Sequence, residues 1–257
     1  MTSKVYCMMT HSNDWDSPSR QPKLESNDIH VWRVSLHAAS IRVKKLFEML
    51  ANDEIDRASR FYFQRDRDCF VIVRGVLRIL LSTYIQTPPE QIRFQYSARG
   101  KPSLALGQND AKLDFNVSHS HELALLAFTR GRAVGIDLEY VRPDIVHEQV
   151  AERVFSAQEI ASLRALSYGL QPAAFFNCWT RKEAFIKATG EGLSRPLDQF
   201  SVSLVPGEAA RLLAIHGQLE ELSKWFIQDL EPRPGYAAAL VAQNPVKQIR
   251  CWEYPLF

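Results

Sequence analysis

The sequence has no cysteine pair at metal or redox spacing. Cys7, Cys69, Cys178 and Cys251 are scattered over 257 residues, with no CxxC and no histidines at zinc spacing. A structural zinc site and a disulfide framework are thereby excluded, and a reducing cytoplasm is the expected compartment. Long apolar runs are missing too. The longest, residues 123–128 and 237–242, fall far short of the roughly 20 residues of a spanning helix, so no membrane segment is expected. Residues 1–28 lack the continuous apolar stretch of a secretory signal. An excess of one charge is lacking as well: the formal net charge is +2, too small to argue for a nucleic-acid binder. No G-x-S-x-G elbow occurs, which removes the main signature of a serine hydrolase, and no internal repeat is visible.

What is there reads as an ordinary globular chain, 46% hydrophobic and 23% charged. Its length suits one large core or two small ones. Residues 1–28, rich in Ser, Asn, Asp and Pro, read as a flexible leader, with order starting near Ile29. Period-2 alternation predicts a strand over residues 29–36, and apolar residues at helical spacing predict one or two helices from Asp53 to Tyr84, ending before Pro88-Pro89. Strands are expected near residues 92–96, 113–117, 123–128 and 133–141, helices over 147–167 and 173–190, and strands again near 200–205, 225–229, 236–242 and 249–254. Helices and strands mix without strict βαβ alternation, so the expected fold class is α+β.

Two segments carry possible chemistry. In Val134-Gly-Ile-Asp-Leu-Glu-Tyr140, Asp137 and Glu139 share one strand face beside Gly135, where a ligand could approach closely. In Trp179-Thr-Arg-Lys-Glu-Ala-Phe-Ile-Lys-Ala-Thr-Gly190, Glu183 and Lys187 lie four apart on one helix face, one turn after Trp179, and Gly190 is placed to cap the helix. Each alone has an ordinary explanation: a solvated strand face in the first case, a surface ion pair with a core tryptophan in the second. Together the three carboxylates form a hard-oxygen set of the kind Mg²⁺ accepts.

The basic residues concentrate between Arg57 and Arg78, where six arginines, Arg57 and Arg74 among them, stand against two aspartates. Their guanidinium forks suit phosphate, and Lys101 in the Arg-Gly-Lys-Pro turn adds a point charge. Ser118 and His119, at the end of a predicted strand, are further donors for a phosphate.

In this order the motifs resemble the Sfp-type 4′-phosphopantetheinyl transferases, and most of all their cyanobacterial branch. The resemblance runs through Arg60-Phe61, Arg74 to Arg78, Gly100-Lys101-Pro102, Phe115 to Ser120, Gly135 to Glu139 and Trp179 to Leu193, about residues 30–205. It implies two similar α+β halves forming an intramolecular pseudo-dimer, here residues 29–132 and 133–257, with coenzyme A and Mg²⁺ between them. It implies a monomer that moves the 4′-phosphopantetheine arm of coenzyme A onto a serine of apo acyl or peptidyl carrier proteins. Asp137, Glu139 and Glu183 would serve the metal, with Glu183 and Lys187 catalytic. Lys187 would also take the pyrophosphate, and Lys101, Ser118 and His119, with Arg57 and Arg74, the nucleotide. Glu54 stands where such enzymes often carry a basic residue. Residues 141–170, with Phe155 and Ile160, are the candidate carrier-docking segment. The alternatives are a Mg²⁺-dependent hydrolase of nucleotide pyrophosphates and a non-catalytic coenzyme A binding module.

Overall fold

In the computed structural model, which describes residues 15–18, 22–142, 148–191, 196–215 and 219–256, the alternating segment at the start forms strand β1, Asp28–Ser35. Two short helices follow, α1 (Ser40–Phe47) and α2 (Asn52–Ser59), and then the long helix α3 (Gln64–Ile85). A small hairpin, β2 (Phe94–Tyr96) and β3 (Pro102–Leu104), leads to a long one, β4 (Leu113–Ser120) and β5 (Leu123–Arg130). Strand β6 (Val134–Tyr140) opens the second half, followed by α4 (Glu148–Val154), α5 (Ala157–Arg164) and α6 (Gln171–Thr189). The remaining strands are β7 (Phe200–Val202), β8 (Leu212–Ile215), β9 (Trp225–Leu230), β10 (Tyr236–Gln243) and β11 (Gln248–Glu253). The expected α+β class holds.

Two sheets dominate, ordered β11-β1-β5-β4 and β6-β10-β9. Their mutual packing explains the nearly unbroken apolar runs of β5 and β10, since a strand covered on both faces has no solvated side to alternate with. One face of the first sheet, through Trp32, Val34, Leu126 and Phe128, packs with Val76, Leu77, Leu80 and Leu81 of α3. One face of the second packs with Ala184, Phe185 and Ala188 of α6. The other faces meet each other: Ile29, Val31, Leu125 and Ala127 against Ile136, Leu138, Leu240 and Ala242. The result is four layers, helix, sheet, sheet, helix. No helix among the described residues is long and apolar enough to cross a membrane.

Three expectations need correction. Order starts before Ile29: Trp15 donates its indole N–H to Glu231 O at 2.9 Å, Arg33 covers the Trp15 ring, and Asp16 bridges to Trp252. The rest of the expected leader, residues 1–14 and 19–21, lies outside the described residues. The chain end does not stay with the second half, because β11 pairs in parallel with β1 in the first sheet. Helix α1 and the short strands β3 and β8 were not expected. Gly75 of α3 explains the fit of α1, since a Cβ there would stand 2.7 Å from Leu46 Cβ.

Candidate active site at the seam between the halves

Where the sheets meet, β4 and β6 run side by side, and side chains of one satisfy the backbone of the other. The N–H groups of Ile136, Leu138 and Tyr140 donate to Asn116 Oδ1, Ser118 Oγ and Ser120 Oγ at 2.9, 3.3 and 3.1 Å. The pattern Asn-x-Ser-x-Ser at 116–120 therefore stitches two sheets, with its polar residues at the strand period of two. The same hydroxyls continue outward: Ser118 donates to Asp137 Oδ1 at 2.9 Å and Ser120 to Glu139 Oε2 at 2.8 Å. Sequence reasoning took Ser118 for a phosphate donor and passed over Asn116 and Ser120. The repeat of a small polar residue at every second position was the signal.

Helix α6 supplies the opposing wall. It ends at Gly190 in the left-handed conformation (φ 73°), as expected. Gly135 lets the helix settle onto β6: a Cβ there would lie 2.1 Å from Ala184 O and 2.4 Å from Ala188 N. The space beside the glycine thus belongs to helix backbone rather than to a ligand, contrary to the expected role. That close approach brings Lys187 to Asp137, with Nζ donating to Oδ1 at 2.6 Å and also to Ser118 Oγ at 3.1 Å and Ile136 O at 3.3 Å. The half-buried Glu183 shares this field. Its carboxyl is pushed above the ordinary range by burial first, then by the charge of Asp137, while Lys187 opposes the rise. Glu139 is raised by burial too, against the Ser120 hydrogen bond.

Asp137 is 4% exposed, so the strand is not the solvated face that would have been its ordinary explanation. Its Oδ2 is buried without a hydrogen-bond partner. Among the described residues no three His, Cys, Asp or Glu side chains stand ready to hold a metal ion. The donor chemistry nonetheless fits a Mg²⁺ ion: three carboxylates, two of them with proton affinity raised by burial, and one buried oxygen that lacks any partner. Holding the ion requires these side chains to draw together.

The expected phosphate grips are divided. Arg57 lines a groove of about 570 Å³ with Asp53, Glu54, Arg60, Phe61 and Tyr96. Arg74 does not offer a free guanidinium: it is buried, 3.3 Å from Glu54 Oε1 and 3.2 Å from Tyr96 Oη. Glu54 itself is buried and bonded to Arg78 Nε at 2.7 Å, so the acid that replaces a basic residue is neutralised by the arginines behind it. Lys101 donates to Val134 O at 3.3 Å and Lys187 O at 2.9 Å, tying its turn to the end of α6. His119 faces solvent at the end of β4, with its pKa lowered by partial desolvation and then by the Lys187 charge. Of the candidate docking residues, Phe155 is buried in the second core and Ile160 packs against it; residues 143–147 lie outside the described residues.

A carboxylate cluster faced by one ammonium stands where β4, β6 and α6 meet, and a groove in the first half is lined by Arg57 and Arg60; arginines of this kind suit phosphate groups. Comparison with known proteins carries this further. Residues 133–241 match the model of the 4′-phosphopantetheinyl transferase superfamily, and residues 32–130 that of the 4′-phosphopantetheinyl transferase N-terminal region. The chain is 37% identical to the 4′-phosphopantetheinyl transferase HetI of the Nostoc genus over 231 residues, 90% of this chain and 94% of that protein. It is 32% identical to the 4′-phosphopantetheinyl transferase Sfp of Bacillus subtilis over 203 residues, 79% of this chain and 86% of that one. The protein belongs to the 4′-phosphopantetheinyl transferase family.

Proposed function

We propose that the protein transfers the 4′-phosphopantetheine arm of coenzyme A to a serine of an apo acyl or peptidyl carrier protein, with Mg²⁺, releasing adenosine 3′,5′-bisphosphate. The observation that carries the reading is the contact of Lys187 with Asp137 at the seam, with Glu183 and Glu139 in the same electrostatic field and Asp137 Oδ2 without a hydrogen bond. Asp137, Glu139 and Glu183 would hold the cation, which when bound would neutralise charge on the pyrophosphate of coenzyme A. Arg57 and Arg60 in the groove bind the phosphates of the nucleotide, and His119 adds a donor at the end of β4. Glu183, with its proton affinity raised by burial and by Asp137, takes the proton of the attacking carrier serine. The serine oxygen then forms its bond to the β-phosphorus as the bond to the bisphosphate oxygen breaks. Lys187 keeps Asp137 oriented throughout. The unpaired Cys69, Cys178 and Cys251 suit a monomer working in a reducing cytoplasm.

The test is Glu183→Gln, assayed by mass spectrometry of the carrier. Holo-carrier formation should fall by about a thousandfold or more, the scale of losing a positioned base and a ligand together; near-normal turnover removes Glu183 from this role. Wild-type enzyme incubated with coenzyme A and no carrier should leave it intact, and rapid loss would mean that water, not serine, is the acceptor.

A further inference from the structure

Helix α6 carries two consecutive buried cations just before Glu183. Lys182 donates to Leu197 O and Phe200 O and lies 2.8 Å from Glu159 Oε2, so it holds the helix to α5 and to residues 197–200. Arg181, fully buried, reaches elsewhere. Its Nη1 donates to Ser203 O and Oγ at 2.6 and 3.1 Å, while Nε and Nη2 form a fork on the two oxygens of Asp229, Nε to Oδ1 at 2.8 Å. Asp229 lies on β9, so this fork is an ionic bond between the helix and the sheet that bears Asp137.

The place of Asp229 in that sheet gives the bond its meaning. Ala239 of β10 pairs with Asp229 on one side and with Asp137 on the other. Directly paired residues of antiparallel strands share a face, here the face that packs on α6. Asp229 and Asp137 therefore stand in one row beneath the helix, two strand spacings or about 10 Å apart. The helix is held at both sides of the sheet: its backbone rests on Gly135 of β6, and Arg181 ties it to β9. Side-chain tips lie about 5–6 Å from a helix axis, so a rotation of about 10° moves the Glu183 carboxyl by about 1 Å. Misplacement on that scale costs a reaction about a hundredfold.

We propose that Arg181 is a positioning residue for Glu183: tied to Asp229 in the row of Asp137, it sets the rotation of α6 about its axis and so the place of the Glu183 carboxyl at the seam. Fully buried, it reaches no substrate itself. The inference rests on the proposed role of Glu183 towards the carrier serine.

Steady-state carrier modification by the full-length enzyme, followed by mass spectrometry well below the lowest unfolding midpoint, tests it. Arg181→Met should lower kcat about tenfold to a hundredfold, while KM for coenzyme A and for carrier stays within about twofold. Arg181→Lys, which keeps the charge but cannot form the fork, should fall between. Leu80→Ala, a cavity in the first core, lowers the midpoint away from α6 and should leave kcat as it is. In a Glu183→Gln background Arg181→Met should cost little more, because a group that acts through Glu183 has nothing left to position. If Arg181→Met fails to fold, Asp229→Asn, a change on the partly exposed side of the pair, supplies the comparison. Wild-type kcat in the folded variant, a rise in KM alone, a loss matched by Leu80→Ala, or a full further loss in the Glu183→Gln background would overturn the inference alone. Near-normal turnover of Glu183→Gln itself would overturn the reading beneath it as well.

Discussion

Two buried acid–base clusters invite comparison. In the first half, Glu54 receives Arg78 Nε at 2.7 Å and the Ala51 N–H at 2.9 Å on one oxygen and faces Arg74 with the other, while Arg78 also donates to Pro89 O and Ile92 O. At the seam, Asp137 takes Lys187 and Ser118 on Oδ1 and leaves Oδ2 bare, with two more carboxylates in its field. Each acid keeps one buried oxygen without a hydrogen bond, Glu54 Oε1 and Asp137 Oδ2, but Glu54 is answered by two arginines, whereas Asp137 meets one lysine with two further carboxylates in its field. A buried oxygen without a hydrogen bond costs on the order of 1–3 kcal/mol or more, and a second arginine, Arg74 at 3.3 Å from Glu54 Oε1, offsets that cost in the first cluster only. The incomplete cluster is the one set up to receive something.

The largest effect that separates the two is loss of turnover without loss of fold. Asp137→Asn keeps the shape and an acceptor for Lys187 but removes the charge. We expect carrier modification to fall by about a thousandfold or more, on the scale of losing a metal ligand, with thermal stability almost unchanged. A variant with near wild-type turnover would place the chemistry elsewhere. The converse substitution is Arg78→Met. Breaking a buried pair from one side costs about 3–5 kcal/mol, so its urea midpoint should drop steeply, while the fraction that remains folded keeps its cation affinity. If cation affinity collapses as well, the clusters are coupled and the contrast fails.

These two regions were unequally legible in the sequence. The strand and helix bearing Asp137, Glu139, Glu183 and Lys187 stand out because their periods are regular and their acids are close together in the chain. The layer order was hidden: β5 and β10 are apolar on both faces, and nothing in an apolar run says which face meets a helix and which meets another sheet. The crossing of β11 to β1 joins residues more than two hundred positions apart, beyond the reach of local pattern. Among charged residues, sequence shows which groups exist but not which are already spent. Arg74 and Lys101 read as phosphate ligands in the sequence, which could not show their contacts with Glu54 and with the backbone at Val134 and Lys187. Gly135 was legible as a close approach, but the approaching group is α6 rather than a ligand.

A smaller, pH-dependent effect belongs to the first half. His30 is fully buried between Tyr84 and Trp252. Tyr84 Oη accepts the Trp32 indole N–H at 2.9 Å and shares a 2.8 Å hydrogen bond with His30 Nδ1, while the buried His30 Nε2 has no partner. Burial, then Arg250 and Arg130, lowers the pKa from 6.5 to about 3. Between those values the unfolded chain binds a proton that the folded one refuses, so this contribution to stability is intact above pH 6.5 and lost as pH falls towards 3. The expected slope is about 1.4 kcal/mol per pH unit from this group, read from urea unfolding at a series of pH values. In His30→Gln that part of the slope should disappear; an unchanged slope would mean the acid sensitivity arises at the seam.

The smallest effect tests how far the seam can be loosened. Ser120 and Ser118 occupy equivalent places on β4, each accepting a β6 backbone N–H and donating to an acid, but only the acid bonded to Ser118 also holds Lys187. Ser120→Ala deprives Glu139 of one hydrogen bond, worth about 1–2 kcal/mol, and leaves Asp137 and Lys187 in place. The half-saturating Mg²⁺ concentration for carrier modification should rise several-fold at most, with maximal turnover at saturating Mg²⁺ close to wild type. A loss of maximal turnover comparable to that of Asp137→Asn would show that Glu139 is held as tightly as Asp137 for the chemistry, and that the two carboxylates share one task rather than dividing it.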